Sequence, residues 1–127
     1  MSRPNPGDPP ARSSLWVDVQ RAPAPPGACV RAAGELDLAT APRLQATLDD
    51  LLDGGYHELN LDLDEVIFCD VAGLNVLLRS RAAAVAAGGH LSLVGVCPTL
   101  RMMLRVLRLE RAFEPIGRDG EPAGDQA

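Results

Sequence analysis

The segment 57–78 changes its apolar period partway along, and this change restricts the fold more than any other feature of the chain. In "HELNLDLDEVIF" (57–68), leucine alternates with polar residues, a period of two that predicts a strand with one buried face. In "VAGLNVLL" (71–78), apolar residues return at the spacing of an amphipathic helix. A strand that passes directly into a helix through Asp70 indicates an α/β domain.

The rest of the chain repeats these two patterns. Strand-like runs occupy 15–20, 28–37 and 90–96, and further helix-like runs occupy 40–53 and 97–109. The proline-rich link "RAPAPPG" (21–27) predicts a hairpin loop, because proline is excluded from the middle of a sheet. The predicted order is β-β-α-β-α-β-α(-β), a mixed sheet of four to five strands flanked by helices, with 112–117 as the optional closing strand. Helices on one side of this sheet would leave alternate strand residues, such as Asp62, exposed.

Capping and stop residues define the predicted helices. Thr40 is the predicted N-cap of the first helix, with Pro42 in its first turn and Gly54 as its stop. Asp70 is the predicted N-cap of the second helix. The predicted buried faces are Leu44, Leu48, Leu51 and Leu52 in the first helix, Leu74, Leu77, Leu78 and Val85 in the second, and Leu100, Met103, Leu104 and Leu107 in the third.

The two ends of the chain differ in composition from its middle. Seven of the eleven prolines lie before residue 27. We expect disordered segments at 1–13 and 118–127 around one folded domain at 14–117. No run approaches the roughly 18 apolar residues of a membrane span, and no apolar region follows Met1 as in a signal peptide. We therefore expect a cytoplasmic protein that does not enter a membrane.

The sequence argues against several kinds of catalytic and ligand-binding chemistry. All twelve basic residues are arginine, which excludes lysine-dependent phosphate binding and Schiff-base chemistry. The widely spaced Cys29, Cys69 and Cys97 are interpreted as reduced thiols that fill the core, not as a disulfide framework or a zinc site. His57 and His90 stand at strand entries and are interpreted as exposed turn residues. No catalytic motif occurs.

The pattern of charged residues favours neither a metal site nor a nucleic-acid site. An acidic group consists of Glu35, Asp37, Asp62, Asp64 and Asp70. This group has no lysine or clustered bases beside it, and Asp62 and Asp64 point away from the leucine face of their strand. We therefore predict that the protein is not an enzyme, has no catalytic residue and binds no metal or cofactor. The net charge of −5 and four aromatic residues disfavour nucleic-acid binding. The arginines at 101, 105, 108 and 111 are interpreted as a solvated helix face.

A binding surface is the function that remains. The turns "GELDLAT" (34–40) and "CDVAGL" (69–74) each precede a helix, and the predicted topology brings them to the same end of the sheet. Loops presented by a rigid scaffold are where binding residues concentrate.

Four segments of the chain resemble the bacterial anti-sigma factor antagonists, the STAS-domain proteins. They are "GELDLATAPRL" (34–44), "LDLDEVIFCDVAGLNVLL" (61–78), "AAGGHLSLVG" (86–95) and "LRVLRLERAFEP" (104–115). The resemblance implies a STAS-like mixed sheet flanked by helices over about residues 15–116. It also implies a function, since in that family the unphosphorylated antagonist binds an anti-sigma factor, usually a serine kinase, and so releases a sigma factor for transcription.

The resemblance further implies a site at the second turn. The family's phosphorylated serine directly follows the motif aspartate, and Val71 stands at that position. Because valine has no hydroxyl, the family's switch cannot operate there, and the chain is expected to be a non-phosphorylatable variant. By position, the implied partner surface consists of Asp37, Thr40, Asp70, Val71, Ala72, Gly73, Leu74 and Asn75.

Structural roles compete with partner contact at several of these positions. Asp70 and Thr40 each suit helix capping. Gly73 permits close approach, either by a partner or by the neighbouring strand, and Leu74 fits the core. Thr40, Ser80 and Thr99 are alternative phosphorylation positions, interpreted as helix-surface or capping residues.

Two other functions stay open from the sequence. One is a scaffold subunit that associates with itself or with other STAS proteins in a sensory assembly. The other is a module that binds a nucleotide or small anionic molecule at the two helix N-termini.

Overall fold

The computed structural model describes residues 14–113, and their order of elements is the predicted one. The strands are β1 Leu15–Arg21, β2 Gly27–Leu36, β3 Glu58–Cys69 and β4 His90–Val94, and the helices are α1 Ala41–Asp53, α2 Val71–Ala86 and α3 Pro98–Val106. The segments expected to be disordered, 1–13 and 118–127, lie outside the described residues. Within 14–113, no helix is both long and apolar enough to cross a membrane.

The four strands form one mixed sheet in the order β1-β2-β3-β4. β1 pairs with β2 antiparallel through the predicted hairpin, and β2, β3 and β4 are parallel. The predicted mixed sheet flanked by helices is confirmed. Ala112 and Phe113, the described part of the candidate closing strand, lie in a turn, and 114–117 fall outside the described residues.

One face of the sheet carries the core. Val30, Leu61 and Leu93 are paired in register across β2, β3 and β4, and none of them is exposed. The alternation of leucine in β3 places every second side chain on this face. Residues of all three helices complete a single apolar cluster with these strands.

The other face of the sheet is polar. Asp18, Arg31 and Asp62 are aligned on adjacent strands, with 3.6 Å between Arg31 Nε and Asp62 Oδ2. Arg31 is exposed, so this ion pair contributes about 1 kcal/mol or less. Asp62 lies on the predicted polar face, but only 16% of its side chain is exposed, because it stands on an interior strand beside Arg31.

β4 is shorter than predicted. It ends at Val94 because Gly95 has a φ of 70°, a conformation that favours glycine and turns the chain away from the sheet. β3 therefore extends beyond the β4 pairing, which stops at Asp62, to Cys69. This extension positions the beginning of α2 at the end of the sheet.

The predicted helix faces are correct except at two positions. Val85 is 48% exposed, because α2 buries a face that includes Leu77, Ser80 and Ala84 and is rotated toward α1. Leu107 is also exposed, because α3 ends at Val106 and the chain leaves the helix there.

The cysteine interpretation holds for two of the three thiols. Cys69 and Cys97 are buried in the core, whereas Cys29 is exposed on the polar face of β2, contrary to the prediction. The alternation of β2 puts Cys29 opposite the buried Ala28 and Val30. Burial raises the pKa of Cys69 to about 12, with smaller contributions from Cys97 and Asp70, so its thiol stays protonated at neutral pH.

The histidine interpretation also holds in part. His90 is exposed, but His57 is half-buried, with its backbone and ring lying against Gly89. Its carbonyl oxygen accepts a hydrogen bond of 2.8 Å from the His90 N–H at the start of β4.

Candidate functional site

The two turns that precede α1 and α2 meet at the end of the sheet. Leu36 and Cys69 are paired as the last residues of β2 and β3. Just beyond them, the Asp70 N–H donates to the Leu36 carbonyl oxygen at 3.1 Å. This hydrogen bond joins the start of the 37–40 turn to the start of α2, so the predicted proximity of the two turns is confirmed.

Asp70 caps α2, as predicted. Its Oδ1 accepts hydrogen bonds from the backbone N–H groups of Ala72 at 2.9 Å and Gly73 at 3.2 Å. The first N–H groups of a helix have no partner within the helix, so the carboxylate satisfies two groups that would otherwise require water. The cap fixes the direction in which α2 leaves the sheet.

Replacing Asp70 by alanine is expected to lower the free energy of unfolding by about 1 kcal/mol, because both capping hydrogen bonds are lost. Asp70→Asn is the matched control, since its amide oxygen keeps the same acceptor without the charge. Chemical denaturation of the three chains measures the difference. Equal losses for the two variants would show that charge, rather than capping, carries the stabilisation.

In the first turn, the backbone N–H groups just before α1 are bound by the carboxylate of Asp37. Asp37 Oδ1 accepts from the N–H groups of Ala39 at 3.0 Å and Thr40 at 3.1 Å. Thr40 stands at the N-cap position of α1 but makes no side-chain cap hydrogen bond. The predicted N-cap position of Thr40 is therefore confirmed, but a cap made by its side chain is wrong, because the hydroxyl is engaged elsewhere.

The Thr40 hydroxyl closes the turn onto β2. Thr40 Oγ1 donates to the Glu35 carbonyl oxygen at 2.7 Å and accepts from the Asp37 N–H at 3.0 Å. The residue is only 4% exposed. Thr40 therefore maintains the shape of the turn from the inside.

Gly73 allows α2 to lie directly against the strand ends. A β-carbon on Gly73 would lie 2.7 Å from both Cys69 Sγ and Leu36 Cγ, closer than packed atoms approach. Leu74 beside it is buried in the core. Of the two readings of Gly73, the structure supports close approach by the neighbouring strand.

Two exposed apolar residues belong to the joined turns. Val71, the first residue of α2, is 62% exposed, and Leu38 in the adjacent turn is 79% exposed. Asn75 is exposed, and Asp37, Asp70 and Ala72 are partly exposed. We call these six residues, Asp37, Leu38, Asp70, Val71, Ala72 and Asn75, the junction surface.

Sequence reasoning missed Leu38 as a site residue. The available signal was an apolar residue between Asp37 and Ala39, inside a turn whose neighbours are polar or small. Ile67 and Phe68, near the end of β3, are also exposed apolar residues that were not predicted. Exposed apolar residues gathered at one end of a domain mark an interaction surface more often than isolated ones do.

A groove between α1 and α2 opens beside the junction surface. It encloses about 430 Å³ and is lined by Leu38, Ala41, Pro42, Gln45, Ala46, Asp49, Ala72, Asn75, Val76 and Arg79. From the lining residue Gln45, Nε2 donates to Asp49 Oδ1 at 2.9 Å and to Ser80 Oγ at 3.2 Å, and the second bond links the two helices. We call this feature the helix groove.

Ser80 and Thr99, two positions that the sequence offers as alternative candidates for phosphorylation, differ in access. Ser80 is 1% exposed and faces Gln45, which corrects its interpretation as a helix-surface residue: α1 covers that side of α2. Thr99 is exposed in the first turn of α3. Among the described residues, no group of three or more His, Cys, Asp or Glu side chains is arranged to hold a metal ion.

Comparison with known proteins identifies relatives of this fold. Residues 19–116 match the family described as "Mlab, STAS domain". The crystal structure of an anti-sigma factor antagonist from Mycobacterium paratuberculosis is similar with a TM-score of 0.73 and 24% identity, over 86% of this chain and 92% of that chain.

Two further solved structures share the fold at lower identity. SpoIIAA, a Bacillus cell fate determinant in its phosphorylated form, has a TM-score of 0.65 and 17% identity, over 84% of this chain and 94% of that chain. An antisigma-factor antagonist STAS domain from Rhodobacter sphaeroides has a TM-score of 0.56 and 15% identity, over 67% of this chain and 90% of that chain. The family match covers most of the chain and the three structures share its architecture, so this protein belongs to the STAS-domain family.

Proposed function

We propose that this protein is an anti-sigma factor antagonist, which binds an anti-sigma factor of the serine-kinase type and thereby releases a sigma factor for transcription. The observation that carries the proposal is the exposed apolar pair Leu38 and Val71 at the joined ends of β2 and β3. The STAS fold and its likeness to solved antagonists support it. The role is binding, not catalysis, and we place it in the cytoplasm.

The residues of the implied partner surface have two roles in this proposal. Asp37, Asp70, Val71, Ala72 and Asn75 contact the partner, together with Leu38. Thr40, Gly73 and Leu74 are buried and hold the contact residues in place. Asp70 serves both purposes, because one oxygen caps α2 while the carboxylate remains partly exposed.

Val71 determines how the proposed interaction is regulated. Phosphorylation of a serine at this position would add about −1.5 to −2 charges at neutral pH. That charge would stand beside the carboxylates of Asp37 and Asp70, inside an interface whose centre is apolar. Since valine cannot accept phosphate, the antagonist remains in its binding form as far as this position is concerned.

Single charged substitutions on the junction surface test the proposal. Leu38→Asp and Val71→Glu are expected to weaken binding to the anti-sigma factor by roughly tenfold or more, because each places a carboxylate in the desolvated centre of the contact. Both side chains are exposed, so folding should be unaffected. Isothermal titration with serine-kinase-type anti-sigma factors from the same genome measures the dissociation constants.

Met102→Asp is the matched control for these variants. Met102 is likewise an exposed apolar residue, at 64%, but it lies on α3. It is expected to bind like the natural chain. Absence of binding by the natural chain to every such anti-sigma factor, or equal weakening by Met102→Asp, would contradict the proposed surface.

A further inference from the structure

The helix groove extends the junction surface into a concave site. Leu38 and Ala72 belong to both, so a partner that covers Val71 also covers the mouth of the groove. This inference rests on the proposed function, because it concerns the same partner.

The walls of the groove favour an apolar occupant. Pro42 and Ala46 on α1 and Ala72 and Val76 on α2 all line it. Three of the lining residues are alanines, so the space between the helices is left open by small side chains. In protein interfaces, the residues that contribute most to binding are those that fill such a pocket on the partner and are surrounded by other contacts.

The charges around the groove indicate what flanks this anchor. The groove lining carries one carboxylate, Asp49, and one guanidinium, Arg79. The junction surface, which shares Leu38 and Ala72 with the groove, adds the carboxylates of Asp37 and Asp70, so a partner that covers both surfaces meets more negative than positive charge. An approaching segment with cationic side chains beside its apolar anchor is therefore complementary, whereas an acidic segment is repelled.

The frame of the groove is fixed before a partner arrives. Gln45 is held by Asp49 on its own helix and by Ser80 on α2, at 2.9 and 3.2 Å. Asp70 and Gly73 fix the start of α2 against the strands. A groove held in this way is ready to receive a side chain without rearrangement of the helices.

From these observations we infer that the helix groove receives one large apolar side chain from a helix of the anti-sigma factor, flanked on that helix by arginine or lysine. The groove opens along the line between two helices, which suits an amphipathic helix that lays its apolar face into it. Val71 and Leu38 then contact the next turn of the same partner helix.

Filling the groove tests the inference. Ala46→Trp places a large side chain at an exposed position on its wall, and Ala82→Trp places the same side chain at an exposed position of α2 outside it. We expect Ala46→Trp to weaken binding to the anti-sigma factor by about tenfold, and Ala82→Trp to leave it within about twofold of the natural chain. Thermal unfolding of both variants verifies that the fold is retained.

The outcomes separate this inference from the proposed function. If the natural chain binds and both tryptophan variants bind equally well, the groove is not occupied and the inference is overturned, while the proposed function stands. If the natural chain binds no anti-sigma factor, both fail. A partner variant supplies the converse test: alanine in place of the apolar residue on the docking helix should weaken the natural complex but cause little further loss with Ala46→Trp.

Discussion

A chain carrying Val71→Ser is expected to be phosphorylated at residue 71 by a serine-kinase-type anti-sigma factor, whereas the natural chain takes up no phosphate there. Val71 is 62% exposed at the first position of α2, so a serine hydroxyl would be accessible without unfolding. The helix N-terminus tolerates the added negative charge, so the modified chain should remain folded. The modification would act on the partner interface and not on the fold.

The phosphorylated Val71→Ser chain is also expected to lose its partner. About −1.5 to −2 charges would be added beside Asp37 and Asp70, and repulsion and desolvation would both oppose docking. Intact-mass and peptide mass spectrometry after incubation with ATP and the anti-sigma factor locates the phosphate, and titration of the modified chain measures binding.

Val71→Ala is the control, because it changes the side chain without adding a hydroxyl. It should bind the anti-sigma factor and remain unphosphorylated at residue 71. The assignment of this position would be contradicted if the Val71→Ser chain and the natural chain were both phosphorylated at one residue other than 71. It would also be contradicted if the phosphorylated variant bound the anti-sigma factor as well as the unmodified chain does.

Replacing Gly73 by alanine is expected to lower the free energy of unfolding by about 1–3 kcal/mol. A methyl group there would lie 2.7 Å from Leu36 Cγ and from Cys69 Sγ, and both of these side chains are fully buried. Alanine would gain about 1 kcal/mol of helix propensity over glycine. The overlap should outweigh this gain, because the start of α2 cannot move away without breaking the Asp70 cap.

Gly54→Ala is the matched control for Gly73→Ala. Gly54 has a φ of −84°, and an added methyl group would meet its nearest neighbours at an ordinary 3.5 Å. Denaturant unfolding should place this variant within about 0.5 kcal/mol of the natural chain or slightly above it. If Gly73→Ala were as stable as Gly54→Ala, the close packing of α2 on the strand ends would be wrong.

The architecture could be predicted because local signals agree with the tertiary fold. The alternating leucines of 57–68 specify which face of β3 is buried, and the change of period at Asp70 specifies where α2 begins. Gly88 and Gly89 end the second helix before β4 starts at His90. Each of these signals depends on neighbouring residues only, so tertiary contacts did not need to be known.

The sequence predictions are wrong at residues whose hydrogen bonds or burial depend on contacts with another element of the fold. Thr40 has the right residue type and position for a cap, but its hydroxyl donates to the carbonyl oxygen of Glu35 in β2. The Thr40 N–H is bound by the carboxylate of Asp37 instead. Val85 fits a helical repeat, yet the packing of α1 on α2 rotates the buried face away from it. In both cases the deciding partner is supplied by another element of the fold.

The sequence predicted the location of the candidate site better than it predicted which residues are exposed there. The two turns and their meeting point followed from topology. Topology does not show which of the residues there are exposed. The predicted list therefore included the buried Leu74 together with the exposed Val71, and it omitted Leu38. Exposure at a turn depends on how the adjoining helix packs, which the linear pattern does not contain.

The central claim is that the natural chain displaces a sigma factor from its anti-sigma factor. It should be added, without ATP, to a preformed complex of a serine-kinase-type anti-sigma factor and its sigma factor, and the mixture separated by gel filtration. We predict free sigma factor and a new complex of the anti-sigma factor with this chain, with both diminished for Val71→Glu. A sigma factor that stays bound when the chain is in large excess would contradict the account.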